Sequence, residues 1–211
     1  MTRVAAIDCG TNSIRLLVAD GSMGEDGTVH LSDLTRQMRI VRLGQGVDAR
    51  GYLDPAAIER TVEATVEYQR MIEAAGATRT RFVATSATRD ASNSGDFVRQ
   101  IQAVIGVEPE VVVGTQEASL SFGGAVAGLG DGLPAPMLVV DIGGGSTELV
   151  AGGTRVEQAV SIDMGAVRVT EKFFAETDPS SGVAPGDQER AIAWIDEQLD
   201  AAEKSVDLAR V

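Results

Sequence analysis

Apolar and polar positions along this chain fall into short runs separated by acidic, glycine-rich turns. Arg3 to Ile7 and Ile14 to Ala19 are apolar stretches on either side of Asp8 to Ser13, a pattern that predicts a β-hairpin. A loop rich in Gly and Asp, Asp20 to Gly27, leads to a third strand-like stretch around Val29 to Arg42, which ends at Leu43-Gly44-Gln45-Gly46. Asp54-Pro55 then marks a helix start with Pro in the first helical position. Ile58, Val62, Val66, Met71 and Ile72 carry approximately helical spacing from there to Ala75-Gly76.

Arg81 to Thr85 reads as a further strand, Asp96 to Ile105 as a helix, and Glu110 to Val113 as another strand. A helix is expected from Thr115, acting as N-cap, through Leu120 and Phe122 towards Gly128. The Gly- and Pro-rich stretch Gly128 to Pro136 reads as a linker. It divides the chain into a first domain of residues 1–133 and a second of 134–211. The opening pattern then recurs: strand Met137 to Val140, turn Asp141 to Ser146, strand Thr147 to Ala151, followed by Val156 to Ser161. The interval from Asp8 to Asp141 is 133 residues, which suggests an internal duplication. A helix over about Ala166 to Phe174, a polar loop with Asp178-Pro179, and an amphipathic helix through Ile192, Trp194, Ile195, Leu199 and Val206 complete the chain. Trp194 at that spacing reads as core.

Composition narrows the classes. With 211 residues, 44% of them hydrophobic, the chain can bury one good core or two small ones. A single cysteine makes no internal disulfide, and Asp8 interrupts the opening apolar run too early for a secretory segment, so a reducing cytoplasm is expected. No apolar run approaches the roughly 20 residues that span a bilayer, so no membrane partner is expected. A formal charge of −13 argues against a DNA-binding protein, which gains affinity by neutralising backbone phosphates. Arg36, Arg39, Arg42 and Arg50 nevertheless make one stretch locally basic, able to receive a polyanion or simply to decorate a solvated hairpin.

The two turns carry the candidate chemistry. Consecutive glycines let the backbone approach a phosphate and aim N–H groups at its oxygens, and Gly143-Gly144-Gly145 followed by Ser146 fits such a nest. A carboxylate at the strand end, Asp8 or Asp141, adds a hard oxygen ligand for Mg²⁺, an ion usually shared with substrate phosphates. One such hairpin is commonplace; two at matching places point to phosphate chemistry. His30 is the only histidine, which leaves no His-based triad or zinc cluster.

The run Ala6-Ile7-Asp8-Cys9-Gly10-Thr11-Asn12-Ser13-Ile14-Arg15 resembles the phosphate-1 motif of the exopolyphosphatase and guanosine pentaphosphate phosphohydrolase (Ppx/GppA) family, within the actin-like ATPase superfamily. Ala84 to Ala91 resembles that family's arginine loop, Gly114 to Ala118 the segment bearing its catalytic glutamate, and Asp141 to Glu148 its phosphate-2 motif. The four occur in the family's order. The resemblance implies that Glu117 positions and deprotonates the attacking water, a task that requires hydrogen-bond reach. The residue's other reading is a carboxylate complementing a helix N-terminus. It further implies that Asp141 and Glu148, joined by Asp8, hold Mg²⁺, with Mn²⁺ as the alternative. Arg89 would contact phosphate through its guanidinium fork, and Asn12, Ser13, Arg15 and Ser146 would hold phosphate oxygens. Arg15 could instead be a strand residue paired with a neighbouring acid. Cys9 stands where the family often has an aliphatic residue and reads as core; Gln116 replaces the first of two adjacent glutamates.

The expected fold is therefore α/β, with two actin-like, ribonuclease H-like domains, the second cut short before the Gly-rich stretch that closes the family's cleft. The expected reaction is Mg²⁺-dependent release of terminal orthophosphate from inorganic polyphosphate, with a (p)ppGpp-type nucleotide as the close alternative substrate. A non-catalytic polyphosphate or alarmone binder is the competing class, and an ATP-dependent kinase the third. If the gene continues beyond Val211, the missing wall and a homodimer contact are expected there.

Overall fold

A computed structural model of the chain describes residues 1–25, 29–129, 134–177, 180 and 182–211. They form two compact units, 1–112 and 113–211.

In the first unit, β1 (Thr2–Cys9), β2 (Ser13–Met23), β3 (Val29–Ile40), β4 (Arg79–Ala84) and β5 (Glu110–Val111) make one mixed sheet in the order β3-β2-β1-β4-β5. The first three strands are antiparallel, and β4 and β5 run parallel to β1 and to each other. Alternation sends Ile7 and Cys9 of β1, and Ile14, Leu16 and Val18 of β2, into one core with Phe82. Asp8 and Arg15 consequently emerge on the opposite face. The helix α2 (Pro55–Ala75) begins where Asp54 accepts the Ala56 N–H and ends where Gly76 turns left-handed at φ 71°. It packs on α4 (Ser94–Ile105), so that Ile58, Tyr68 and Ile72 meet Phe97 and Ile101 over the sheet. Two short helices complete the unit, α1 (Val47–Arg50) and α3 (Ser86–Arg89).

Tyr68 is wholly buried, and its hydroxyl donates to the Ile14 carbonyl at 3.0 Å, just behind the first acidic turn. Burial pushes the phenol up from its ordinary value, so it remains a donor at neutral pH. Tyr68→Phe should therefore lower unfolding free energy by about 1 kcal/mol in a urea titration, since it removes a buried side-chain hydrogen bond.

The second unit is a three-layered piece. Its strands β6 (Met137–Ile142), β7 (Thr147–Gly152) and β8 (Val156–Ile162) are antiparallel in the order β6-β7-β8. Every residue of β7 is buried, because both of its faces are covered. Val150 meets Ala118 and Phe122 of α5 (Gly114–Leu129) on one side. Leu149 and Ala151 meet Trp194, Ile195 and Leu199 of α7 (Pro185–Ala202) on the other, where α6 (Ala166–Phe173) also packs. Trp194 belongs to that core, with Phe173 at 5.7 Å and the Lys172 ammonium over its ring at 4.2 Å.

The break between units comes ahead of α5 because that helix packs on β6, β7 and β8. Leu133, where the linker reading puts the boundary, lies outside the described residues, as do Asp178 and Pro179 of the polar loop. The helix begins at Gly114, so Thr115, expected as its N-cap, lies inside its first turn. Gln116 reaches back to accept the Val113 N–H at 3.4 Å, a capping arrangement that gives this departure from the family pattern a structural task. Among the described residues no helix is long and apolar enough to cross a membrane.

Candidate active site

The two acidic turns are built alike. Cys9 pairs with Ile14 and Ile142 with Thr147, leaving four-residue connections in both hairpins. The first residue of each connection donates its N–H to the carbonyl of the fourth, Gly10 to Ser13 and Gly143 to Ser146, both at 2.9 Å. The loop carbonyls are tied back in both cases. Thr11 accepts from Gly44 N–H at 2.8 Å, and Asn12 from Val41 at 3.0 Å and Arg42 at 2.9 Å. In the second turn Gly143 accepts from Ala166 at 2.9 Å, Gly144 from Val167 at 2.8 Å and Gly145 from Arg168 Nε at 2.9 Å. With their carbonyls anchored, the N–H groups of Thr11 and Asn12 in one turn, and of Gly144 and Gly145 in the other, have no backbone acceptor among the described residues. Turns with their carbonyls tied back and N–H groups left over in this way have the make-up of an anion nest.

Glycine is demanded where α6 meets the second turn. A Cβ on Gly165 would lie 2.4 Å from the carbonyl carbon and oxygen of Gly144 and 2.5 Å from the Gly145 nitrogen. Close contact of this kind delivers the first N–H groups of α6 to the loop carbonyls, satisfying both. Neither Gly165 nor Arg168 stands out in the sequence; their part follows from the tertiary contact.

The two hairpins differ in what their strands carry next to the turn. Asp8 lies opposite Arg15 across β1 and β2, and their side chains pair at 3.4 Å. Arg15 is therefore a strand residue paired with a neighbouring acid, whatever it does for phosphate. At the equivalent positions of the second hairpin Asp141 lies opposite Glu148, and Glu148 lies opposite Ser161 of β8. One face of the small sheet thus carries Asp141, Glu148 and Ser161 in a row across three strands.

Like charges directly opposite repel, and Glu148 is only 1% exposed. Hydroxyl donors offset this: Ser161 Oγ donates to Glu148 Oε1 at 2.7 Å, and Ser121 Oγ of α5 donates to Asp141 Oδ2 at 2.6 Å. Gly114 lies so close to Ser161 that a Cβ there would be 2.5 Å from the serine's own. Residues 114, 117 and 121 share one helix face, which puts Glu117 between these two contacts and over the carboxylate row. Glu117 is partly buried, and its Oε2 is out of reach of solvent. Ser121 and Ser161 were not legible as site residues. Ser121 stands one turn after Glu117, a spacing that could have flagged it, whereas Ser161 gives no signal before strand pairing is known.

In the first unit, α3 abuts the first turn. Thr11 Oγ1 and Ser86 Oγ share a buried hydrogen bond at 2.8 Å, and Thr85 N–H donates to Cys9. Arg89, at the end of α3, donates to the Val112 carbonyl at 3.2 Å and lies 3.6 Å from Asp90. Asn12 and Ser13 are half-buried, while Gly145 and Ser146 are buried in the second turn. Burial pushes the Cys9 thiol far above its ordinary range. With 1% exposure this makes it a core residue rather than a nucleophile.

Among the described residues no three His, Cys, Asp or Glu side chains converge as a ready-made metal centre. Mg²⁺ does not require one, since it is commonly held by one or two carboxylates, waters and substrate oxygens. Asp141 and Glu148, paired hard donors whose mutual repulsion a cation would relieve, fit that chemistry.

The sequence profile of the Ppx/GppA phosphatase family matches residues 23–209. The chain belongs to the Ppx/GppA phosphatase family. It is 49% identical over 186 residues to Exopolyphosphatase 2 of Mycobacterium tuberculosis, covering 85% of this chain and 57% of that protein. A crystal structure of an exopolyphosphatase-like protein superposes with a TM-score of 0.89 at 43% identity, over 100% of this chain and 64% of that one. The Aquifex aeolicus PPX-GPPA enzyme gives 0.71 at 32% identity, over 95% and 64%. The fold is accordingly the α/β fold of the Ppx/GppA family, and the chain spans about six-tenths of the length of these relatives.

Proposed function

We propose that this Ppx/GppA family protein releases terminal orthophosphate from inorganic polyphosphate by water attack. The observation that carries the proposal is the carboxylate row Asp141–Glu148 beside a donor-rich turn, with Glu117 on the helix face above it. Likeness to Exopolyphosphatase 2 supports the choice of substrate.

In this reading the N–H groups of Gly144 and Gly145, with Ser146, seat phosphate oxygens, and those of Thr11 and Asn12, with Ser13 and Arg15, do the same in the first unit. Arg89 adds a guanidinium donor there. Glu117 accepts a proton from water as the water oxygen bonds to the terminal phosphorus. The bridging P–O bond breaks, and its electron pair leaves on the shortened chain. Ser121 and Ser161 hold the two carboxylates in place. Mg²⁺ held by Asp141 and Glu148 would supply charge neutralisation at the phosphoryl oxygens.

The test is orthophosphate release by the full-length protein from polyphosphate and from guanosine pentaphosphate, with Mg²⁺ and with chelator. Faster Mg²⁺-dependent release from polyphosphate supports the proposal. Preference for the nucleotide moves the substrate to the alternative, and release from neither leaves a binding protein.

A further inference from the structure

Among the described residues, six have positive φ, and five of them are glycines: Gly46, Gly51, Gly76, Gly106 and Gly182. The sixth is Arg42, at φ 51°. A side chain in the left-handed region is disfavoured relative to glycine, so its retention there calls for a reason.

The backbone around Arg42 is over-determined. Val41 and Arg42 both donate to the Asn12 carbonyl, Gly44 donates to Thr11, and Gln45 donates back to Arg42 at 3.2 Å. Arg60 Nε donates to the Val41 carbonyl at 3.1 Å. Val41 and Leu43 are 2% and 0% exposed, and between these two plugs the side chain of Arg42 is left in solvent. This arrangement fixes residue 42 to the carbonyl of Asn12, whose own N–H belongs to the first nest.

Charge singles out the same residue. Of the arginines in the locally basic stretch, Arg36 pairs with Asp33, Arg39 with Glu67 and Arg50 with Asp54. Arg42 has neither an ion pair nor a side-chain hydrogen bond among the described residues, although it stands closest to the turn along the hydrogen-bonded backbone. The local structure thus holds an uncommitted guanidinium beside a set of anion-directed N–H groups, in a conformation that a glycine would adopt more easily.

We infer that Arg42 is a substrate-contacting residue whose guanidinium takes a second phosphoryl group of a condensed phosphate, next to the one seated on the Thr11 and Asn12 N–H groups. The inference rests on the proposed use of the first turn for phosphate. A planar fork of donors suits neighbouring phosphoryl oxygens better than an ammonium does.

The experiment compares the full-length wild type with Arg42→Gly and Arg42→Lys. It measures titration with long-chain polyphosphate in the absence of metal, thermal midpoint, and KM and kcat for polyphosphate. Arg42→Gly keeps the left-handed backbone and removes only the cation. The expected result is roughly tenfold weaker binding and a matching rise in KM, with kcat little changed and a thermal midpoint no lower than that of the wild type. Arg42→Lys should recover part of the affinity. Wild-type affinity in Arg42→Gly overturns the inference and leaves the proposed function standing, as does a lowered midpoint with unchanged affinity. Failure of the wild type to bind polyphosphate overturns both.

Discussion

Glu117→Gln in the full-length protein is expected to lower orthophosphate release from polyphosphate by about 10²-fold or more, with substrate affinity held to within a few-fold. Glutamine preserves the length and shape of the side chain, so the capping contact of Gln116 with Val113 and the packing of Ala118 and Phe122 on Val150 are undisturbed. What is removed is the ability to accept a proton from water. The competing role, a negative charge complementing the first turn of α5, accounts for only about 0.3–1 kcal/mol of helix stability. The two roles separate cleanly in measurement. A catalytic base gives a collapsed kcat with a nearly unchanged thermal midpoint. A helix charge gives a slightly lowered midpoint with kcat intact, and that outcome would remove Glu117 from the mechanism.

The elements most legible in the sequence are those whose cause is local. The Asp54 cap, Pro55 and Gly76 delimit α2, and the apolar runs on either side of the first acidic turn mark β1 and β2 before any neighbour is known. The duplicated hairpin is of the same kind. Its 133-residue interval places Arg15 and Glu148 at equivalent positions, and strand register turns that equivalence into an ion pair in one unit and a carboxylate pair in the other. The features that escape prediction are tertiary. An apolar face on α5 does not say which sheet it will cover, so its packing on β6, β7 and β8 could not be read from periodicity. β5 comprises only Glu110 and Val111, shorter than its apolar run, although the Val112 N–H still donates to Ala84. The arginine loop contains a single helical turn, α3, tied to the first turn by a buried hydroxyl pair that involves residues 75 positions apart. Ser161 becomes a site residue only through pairing with Glu148.

Gly165→Ala should have the second large effect, and through geometry alone. The residue's φ of −143° suits any amino acid, so backbone conformation is not the obstacle. The added methyl would lie 2.4 Å from the Gly144 carbonyl carbon and oxygen, and these are main-chain atoms that cannot rotate away. Either α6 withdraws or the turn moves. Withdrawal breaks the bonds from Ala166, Val167 and Arg168 that hold back the carbonyls of Gly143, Gly144 and Gly145. Movement re-aims the N–H groups of Gly144 and Gly145. Overpacking of this kind costs about 1–3 kcal/mol of stability, visible as a lower denaturation midpoint. Misplacing the turn by about 1 Å is expected to reduce polyphosphate hydrolysis roughly 10²-fold. Gly114→Ala provides the contrast, because its clash is with the Ser161 side chain at the other end of the site. It should perturb the Glu148 hydrogen bond while leaving the second turn in place. If Gly165→Ala kept full activity and stability, the contact between α6 and the turn would not be what shapes the nest.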